Sequence, residues 1–270
     1  NASLSQAIGF YNCGIKLNDY ANNNYIGSIN GGNIIASNST GVSNIILENN
    51  AHTNFIQGNS IGTDLSGATD LNSSCAQGAI LISSGSYNND IGGQNPGEGN
   101  IIAFNDGPGI SLQNNAGIGN GIWRNSIYDN DAMGIDFNQD GMPEVNDQGD
   151  ADSGPNSLQN YPIITNALTD STSVQIQGTL NSLGLNTFRI EFFRNDTLDQ
   201  TSHGEGQEYI GYTDVTTDGI FGDASFDVTF THTVHVGDYI TSTATDYNDN
   251  TSEFSEAVAP TVLVVNIGVS

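Results

Sequence analysis

The sequence predicts an all-β protein in two parts, a right-handed parallel β-helix followed by an antiparallel β-sandwich. Three observations lead there. The phrase GNIIASN at 32–38 returns as GNIIAFN at 99–105, which marks one structural unit used more than once. Ile, Leu, Val and Phe recur at alternate positions in short runs, the period-two signature of strands. Gly, Asn, Asp and Ser fill the gaps, and these residues tolerate the backbone conformations that tight turns need.

The rounds of the β-helix can be followed along the chain. AIGFYNCGIKL at 7–17 reads like IIAFNDGPGISL at 101–112. NNYIGS (23–28), GNIIASN and GVSNIIL (41–47) set an order that NNDIGG (88–93), GNIIAFN and GISLQ (109–113) repeat. NFIQGNSIGT (54–63) lies between the two copies, and GIWRNSIYDNDAMGIDF (121–137) follows them. Glycines at 14, 41, 78, 109 and 134 divide the run into rounds of 27, 37, 31 and 25 residues. A short strand cannot bury its apolar face alone, whereas stacked coils bury a continuous core. Asn at recurrent coil positions predicts ladders of side-chain amides, each bonded to a neighbour about 4.8 Å away. Residues 1–145 are read as a β-helix of roughly four to five coils.

An acidic junction follows at 146–162. DFNQDGMPEVNDQGDADSGPN (136–156) spaces carboxylates between glycines, so that several oxygens can converge on one hard cation. The expected ligands are Asp136, Asp140, Asp147, Asp150, Asp152 and Asn156, and the expected ion is a structural Ca²⁺ that rigidifies the joint. The spacing is not that of an EF-hand, which also needs a Glu at its twelfth position. A solvated acidic turn is the alternative.

The second part spans 163–258. NYPII (160–164) opens it, and VQIQG (174–178), FRIEFF (188–193), FDVTF (226–230) and YITSTATD (239–246) alternate between turn signals, as in a small antiparallel sandwich. Residues 259–270 hold TVLVVNIGV, an uncharged β-prone run that reads as an extra strand, a linker, or a strand donated to a neighbouring subunit. Donation would build head-to-tail filaments.

The chain resembles bacterial secreted proteins in which a right-handed parallel β-helix precedes an immunoglobulin-like domain. The resemblance rests on the repeats above, on NDQGDADSGPNSLQNYP (146–162), and on GTLNS, IEFF, GEGQEYIG, TATD and TSEFS between 178 and 255. It implies an Ig-like C-terminal domain and an exported surface or matrix protein, and it implies no particular reaction.

Composition narrows the function classes. Lys and Arg total 4 against 30 Asp and Glu, a formal net charge of −26, which excludes nucleic acid as a partner. Nine of the acids fall in 1–135 and 21 in 136–270. There is no apolar run of the roughly 20 residues that a membrane span requires, so no membrane insertion is expected. No leader-like segment is seen, so the chain is expected to start after processing or to be a fragment. The expected partners are further copies of the chain or an extracellular polysaccharide, and the expected location is extracellular. Cys13 and Cys75 stand two rounds apart, so a bridge needs the loop at 64–77 to fold back.

An enzyme is not expected. Lyases of this shape need Lys or Arg beside the reacting carbon, and only Lys16 and Arg124 lie in the β-helix. Hydrolases need paired carboxylates, and no Asp-Asp pair occurs there. Trp123 and Tyr128 are read as a sugar platform or, for Trp123, one side of the stacked core. Glu205 and Glu208 near His203 form a weak candidate ligand site. His232 and His235, three apart in a strand-like run, are expected on opposite faces and so not to share a metal.

Overall fold

A computed structural model describes residues 13–36, 42–71 and 74–263. The chain is nearly all β, with stacked parallel sheets first and a separate antiparallel region after them. β1 (Cys13–Leu17), β2 (Tyr25–Ile26) and β3 (Ile34–Ile35) form the first round among the described residues. β4 (Ser43–Leu47), β5 (Phe55–Ile56) and β6 (Ser60–Ile61) form the next round. β7 (Ile80–Ile82), β8 (Asp90–Gly92) and β9 (Ile101–Ala103) follow. β10 (Ile110–Leu112), β11 (Gly121–Trp123) and β12 (Ser126–Tyr128) come next, and β13 (Ile135–Phe137) is last. Strands three apart pair in parallel, giving the sheets β1-β4-β7-β10-β13, β2-β5-β8-β11 and β3-β6-β9-β12.

The two repeated phrases occupy the same place in different rounds. Ile34 pairs with Ser60, and Ser60 pairs with Ile101, so NSIGT separates the two copies as predicted. Ile15, Ile45, Ile80, Ile110 and Ile135 are in register, so the rounds measure 30, 35, 30 and 25 residues. The glycine count of 27, 37, 31 and 25 is corrected accordingly. Register follows the inward isoleucines, whereas the glycines precede them by one to four residues as the turn varies.

Inside, Ile45, Leu47, Ile56, Ile61, Ile80, Ile82, Ile91, Ile102, Ile110, Leu112, Ile127 and Ile135 are fully buried in one apolar column. At the corners run amide ladders. In one, Asn24 Nδ2 donates to Asn54 (2.9 Å), Asn54 to Asn89 (2.9 Å) and Asn89 to Asn120 (2.9 Å). In another, Asn33 donates to Asn59 (2.9 Å), Asn59 to Asn100 (3.0 Å) and Asn100 to Asn125 (2.8 Å). A third runs from Asn44 to Asn105 (3.0 Å) and on to Asn130 (2.8 Å). Each amide-to-amide bond donates towards the later round, while the same Nδ2 groups also donate back to carbonyls of the earlier one, as Asn89 does to Ala51 (3.1 Å). The acceptor oxygens also take a backbone N–H from the round before, as Asn100 does from Asn59 (3.0 Å). The buried asparagine amides are thereby satisfied without water.

Cys75 is fully buried. The side chain of Cys13, and with it the question of a bridge to Cys75 or two buried thiols, lies outside the described residues.

The antiparallel region has two sheets around a second core that includes Val174, Ile176, Phe188, Ile190, Phe192, Phe226 and Ile240. β14 (Ile163–Thr169), β15 (Val174–Asn181), β16 (Thr187–Asn195), β17 (Glu208–Thr216), β18 (Asp223–Phe230), β19 (Tyr239–Thr245) and β20 (Thr261–Val262) supply them. Their orders are β18-β15-β14-β20 and β17-β16-β19. The sequence patterns at 174, 188, 226 and 239 all fall on strands. β17 carries only one buried residue, Val215, and so shows no apolar alternation in the sequence. Of the readings of the tail, the extra strand describes its start: Thr261 and Val262 pair in parallel with Leu168 and Thr169 of the same chain. The rest of the TVLVVNIGV run (261–269), read also as a strand to donate, lies outside the described residues from 264 onward.

The ladders make a prediction. Asn100→Ala removes the acceptor of Asn59 and the donor to Asn125, and each buried group left without a partner costs about 1–3 kcal/mol. Equilibrium unfolding should show a loss of at least about 2 kcal/mol, against less than about 0.5 kcal/mol for Asn114→Ala at an exposed turn.

Candidate functional site

The last round of the parallel stack has no further round to pair with. The antiparallel region takes that place, sheet by sheet. On β13, Phe137 N donates to Glu253 Oε1 (2.6 Å). At β11, Ile122 N donates to Thr251 Oγ1 (2.9 Å) and Arg124 N to Glu191 Oε2 (2.8 Å). On β12, Ile127 and Gly206 exchange both backbone hydrogen bonds, at 2.8 and 3.0 Å. Two of the three amide ladders end there too. Asn130 donates to Glu205 Oε1 (2.9 Å), and Asn120 N to Asn156 Oδ1 (3.0 Å). Phe193 and Phe254, packed edge to face with centroids 5.4 Å apart, plug the apolar column. Gly134 makes room for this plug, since a Cβ there would meet the Phe254 ring at 2.8 Å.

β16 shows how one sequence serves both cores. In FRIEFF, Phe188, Ile190 and Phe192 enter the antiparallel core, while Glu191 and Phe193 face the stack. Alternation along a strand requires this division. Glu191 is fully buried, and its Oε1 meets Arg189 at 3.0 Å. Arg189 in turn lies over the Tyr212 ring at 3.7 Å.

Burial sets the protonation of the sealing acids. It pushes the carboxyls of Glu205 and Glu253 up to about 8, against the hydrogen bonds they accept, and it raises Glu191 as well. The candidate site built from His203, Glu205 and Glu208 is corrected here. Glu205 faces Asn130, Glu208 pairs with Arg194 (3.2 Å), and His203 contacts the Phe254 carbonyl (3.2 Å).

Of the six predicted metal ligands, Asp147, Asp150 and Asp152 come together, each offering an oxygen within 4.8 Å of the others. Asp150 is buried, accepting from Asn160 N (3.0 Å) and Ser182 Oγ (2.6 Å). Its carboxyl is pushed up to about 6 by burial and then by Asp152 and Asp147. Asp152 is raised by burial, Asp147 and Glu144. Three convergent carboxylates suit a hard divalent cation, with carbonyls and water completing its shell. Asp136 lies on β13, buried and raised to about 6, with Asp140 and Glu144 as its acidic neighbours. Asn156 is engaged at the end of an amide ladder, donating to the carbonyls of Asn120 (2.8 Å) and Thr251 (3.0 Å).

The remaining candidates resolve differently from the sequence reading. Trp123 is buried, but beneath the antiparallel region and not in the apolar column. Its Nε1 donates to Asp90 (3.2 Å), and the indole occupies the space that a Cβ on Gly121 would fill. Tyr128 donates to the Gly67 carbonyl and packs against Phe104, so neither ring is a free platform. His232 and His235 line one cleft, because β18 ends at Phe230 and 231–236 leave the strand. A cleft of about 510 Å³ that the sequence did not reveal is lined by Thr53, Asn88, Asp90, Ile118, Gly119, Asn248 and Asp249. Burial raises both carboxyls, Asp90 to about 6, and Asp249 raises Asp90 further.

No family model matches the chain, and no curated protein matches it.

The sealing acids make stability depend on pH. Glu205 and Glu253 keep their protons to about pH 8 when folded, against 4.5 for an unperturbed glutamate. Between those values the folded state binds more protons, so stability falls as pH rises. Urea unfolding should give a higher free energy at pH 6 than at pH 8.5. Glu205→Gln and Glu253→Gln should each reduce that slope, having no proton to lose, with Glu191 contributing to what is left.

Proposed function

We propose that the chain is a non-enzymatic extracellular structural module that serves as a surface, adhesion or filament-building unit. In this reading a right-handed parallel β-helix (1–145) is closed by an Ig-like β-sandwich (163–258) and stiffened by Ca²⁺ at the junction (146–162). The observation that carries it is the seal. Glu191, Glu205 and Glu253, of the residue type that would do acid–base chemistry in a β-helix enzyme, are buried and accept hydrogen bonds from the last round. An end closed by hydrogen bonds on all three sheets and an aromatic plug makes a stiff rod, which suits a spacer more than a moving catalyst. Asp147, Asp150 and Asp152 are the residues that would hold the ion. The chemistry it would supply there is neutralisation of three crowded carboxylates.

A second reading is kept for one observation, the cleft that brings Asp90 and Asp249 together from the two parts of the chain. Two carboxyls with raised pKa values beside amide side chains suit binding or cleavage of a neutral polysaccharide.

Light scattering on the full chain and on one truncated after Ser255, with and without EDTA, tests the first reading. Assemblies lost on truncation support filament building, and a monomer under every condition overturns it. Ca²⁺ at a hundredfold excess over its Kd should stabilise the chain by about 2.7 kcal/mol, and Asp150→Asn should remove that gain. Release of reducing ends from a neutral polysaccharide, lost in Asp90→Asn, would replace the first reading with the second.

A further inference from the structure

Beyond the structural role, we propose that His232, Glu208 and His235 form a binding site for a transition-metal ion such as Zn²⁺. His232 Nε2 and Glu208 Oε1 lie 3.3 Å apart. That is hydrogen-bonding distance, yet Nε2 is buried and makes no hydrogen bond. The contact is an ion pair whenever the imidazole is protonated, but its geometry is not that of a hydrogen bond. Two ligands each about 2.0–2.1 Å from a tetrahedral ion sit about 3.3–3.4 Å apart, which is the separation found.

The surroundings favour the assignment. His235 lines the same cleft of about 420 Å³, on the segment that leaves β18 after Phe230. His235 is exposed, and its ring nitrogens do not lie within 4.8 Å of both other ligands, so the third ligand has to be brought in by rotation of its imidazole, on a backbone whose N–H is anchored to Asp238 (2.7 Å). Glu208 is held from behind: Oε2 accepts from Arg194 Nη1 (3.2 Å), leaving Oε1 towards His232. A carboxylate oriented by a second hydrogen bond is the usual support of a metal ligand. Arg194 does not repel a cation as a free guanidinium would, because Asp238 takes it in two bonds of 2.7 and 3.0 Å. Two imidazoles and one carboxylate select zinc-like ions over calcium, which prefers six to eight oxygens. The site is thus chemically distinct from the Asp147, Asp150 and Asp152 cluster.

Co²⁺ serves as the probe, added to the full chain in excess Ca²⁺ so that the aspartate cluster is saturated. One equivalent should bind with visible d–d absorption, and Zn²⁺ should displace it. His232→Ala and His235→Ala should each weaken binding by more than about tenfold. Glu208→Gln should do the same, and Asp147→Asn should leave binding unchanged. The thermal transition of each metal-free variant checks that it folds, and His232→Gln replaces His232→Ala if that variant does not. Zn²⁺ should also move the imidazole NMR signals of both His232 and His235. Absence of Co²⁺ binding, binding that survives the loss of His232, or loss of binding in Asp147→Asn would overturn the proposal.

Discussion

A stack of parallel coils satisfies its backbone only where another coil lies beside it. Each round donates and accepts across three sheets, and the round at an end is left with a row of bare N–H and C=O groups on all three. Burying them without partners would cost free energy at every position, and exposing them would invite another chain to pair. The structure answers this at β11, β12 and β13 by placing the antiparallel region against the last round. Gly206 mimics a strand by exchanging two backbone bonds with Ile127, while Glu191, Glu253 and Thr251 accept from N–H groups that have no neighbouring coil. The apolar column is closed by the same means, with Phe193 and Phe254 standing where the next isoleucines would.

That arrangement ties the two parts together mechanically. The strand that builds the second core also carries Glu191 and Phe193 into the seal, so neither part can rotate on the other without opening its own packing. The acidic junction lies beside this joint and is itself pinned. Asp147 N accepts no freedom of position, since it donates to Asn160 Oδ1, and Asp150 is fixed to Ser182. A cation there would act on a segment already shaped by hydrogen bonds, relieving charge more than creating structure.

Much of the stack was legible because it repeats. Ile34 and Ile101 announce one strand position in two rounds, and the asparagines before them announce a ladder; a repeated letter has its partner in the repeat. The seal offers no such signal. Glu191, Glu205 and Glu253 are single letters whose partners lie 67, 75 and 116 residues away, and nothing in GEGQE or TSEFS distinguishes an acceptor from a solvated acid. Among the aspartates, closeness in sequence over-predicted closeness in space. Asp147, Asp150 and Asp152 share a turn and meet, whereas Asp136 belongs to β13 and Asn156 to a ladder. His232 and His235 were misplaced for a related reason: alternation sorts faces only while the strand continues, and β18 stops at Phe230.

The asparagine ladders have a direction, and it has an electrical consequence. Along each ladder the amide-to-amide bonds all run towards the later round, so the side-chain dipoles of a ladder add rather than cancel. Each uncharged column therefore carries a positive end and a negative end, as a helix does on a larger scale. At the seal Glu205 presents oxygen to the positive end of the Asn44–Asn105–Asn130 ladder, and Asn156 accepts the backbone N–H of Asn120 at the end of another. Reversing a copy of the chain against that surface would set hydrogen-rich end against hydrogen-rich end. The interior of the stack thus distinguishes its two poles without a single buried lysine or arginine, and only an oxygen-bearing surface can finish it.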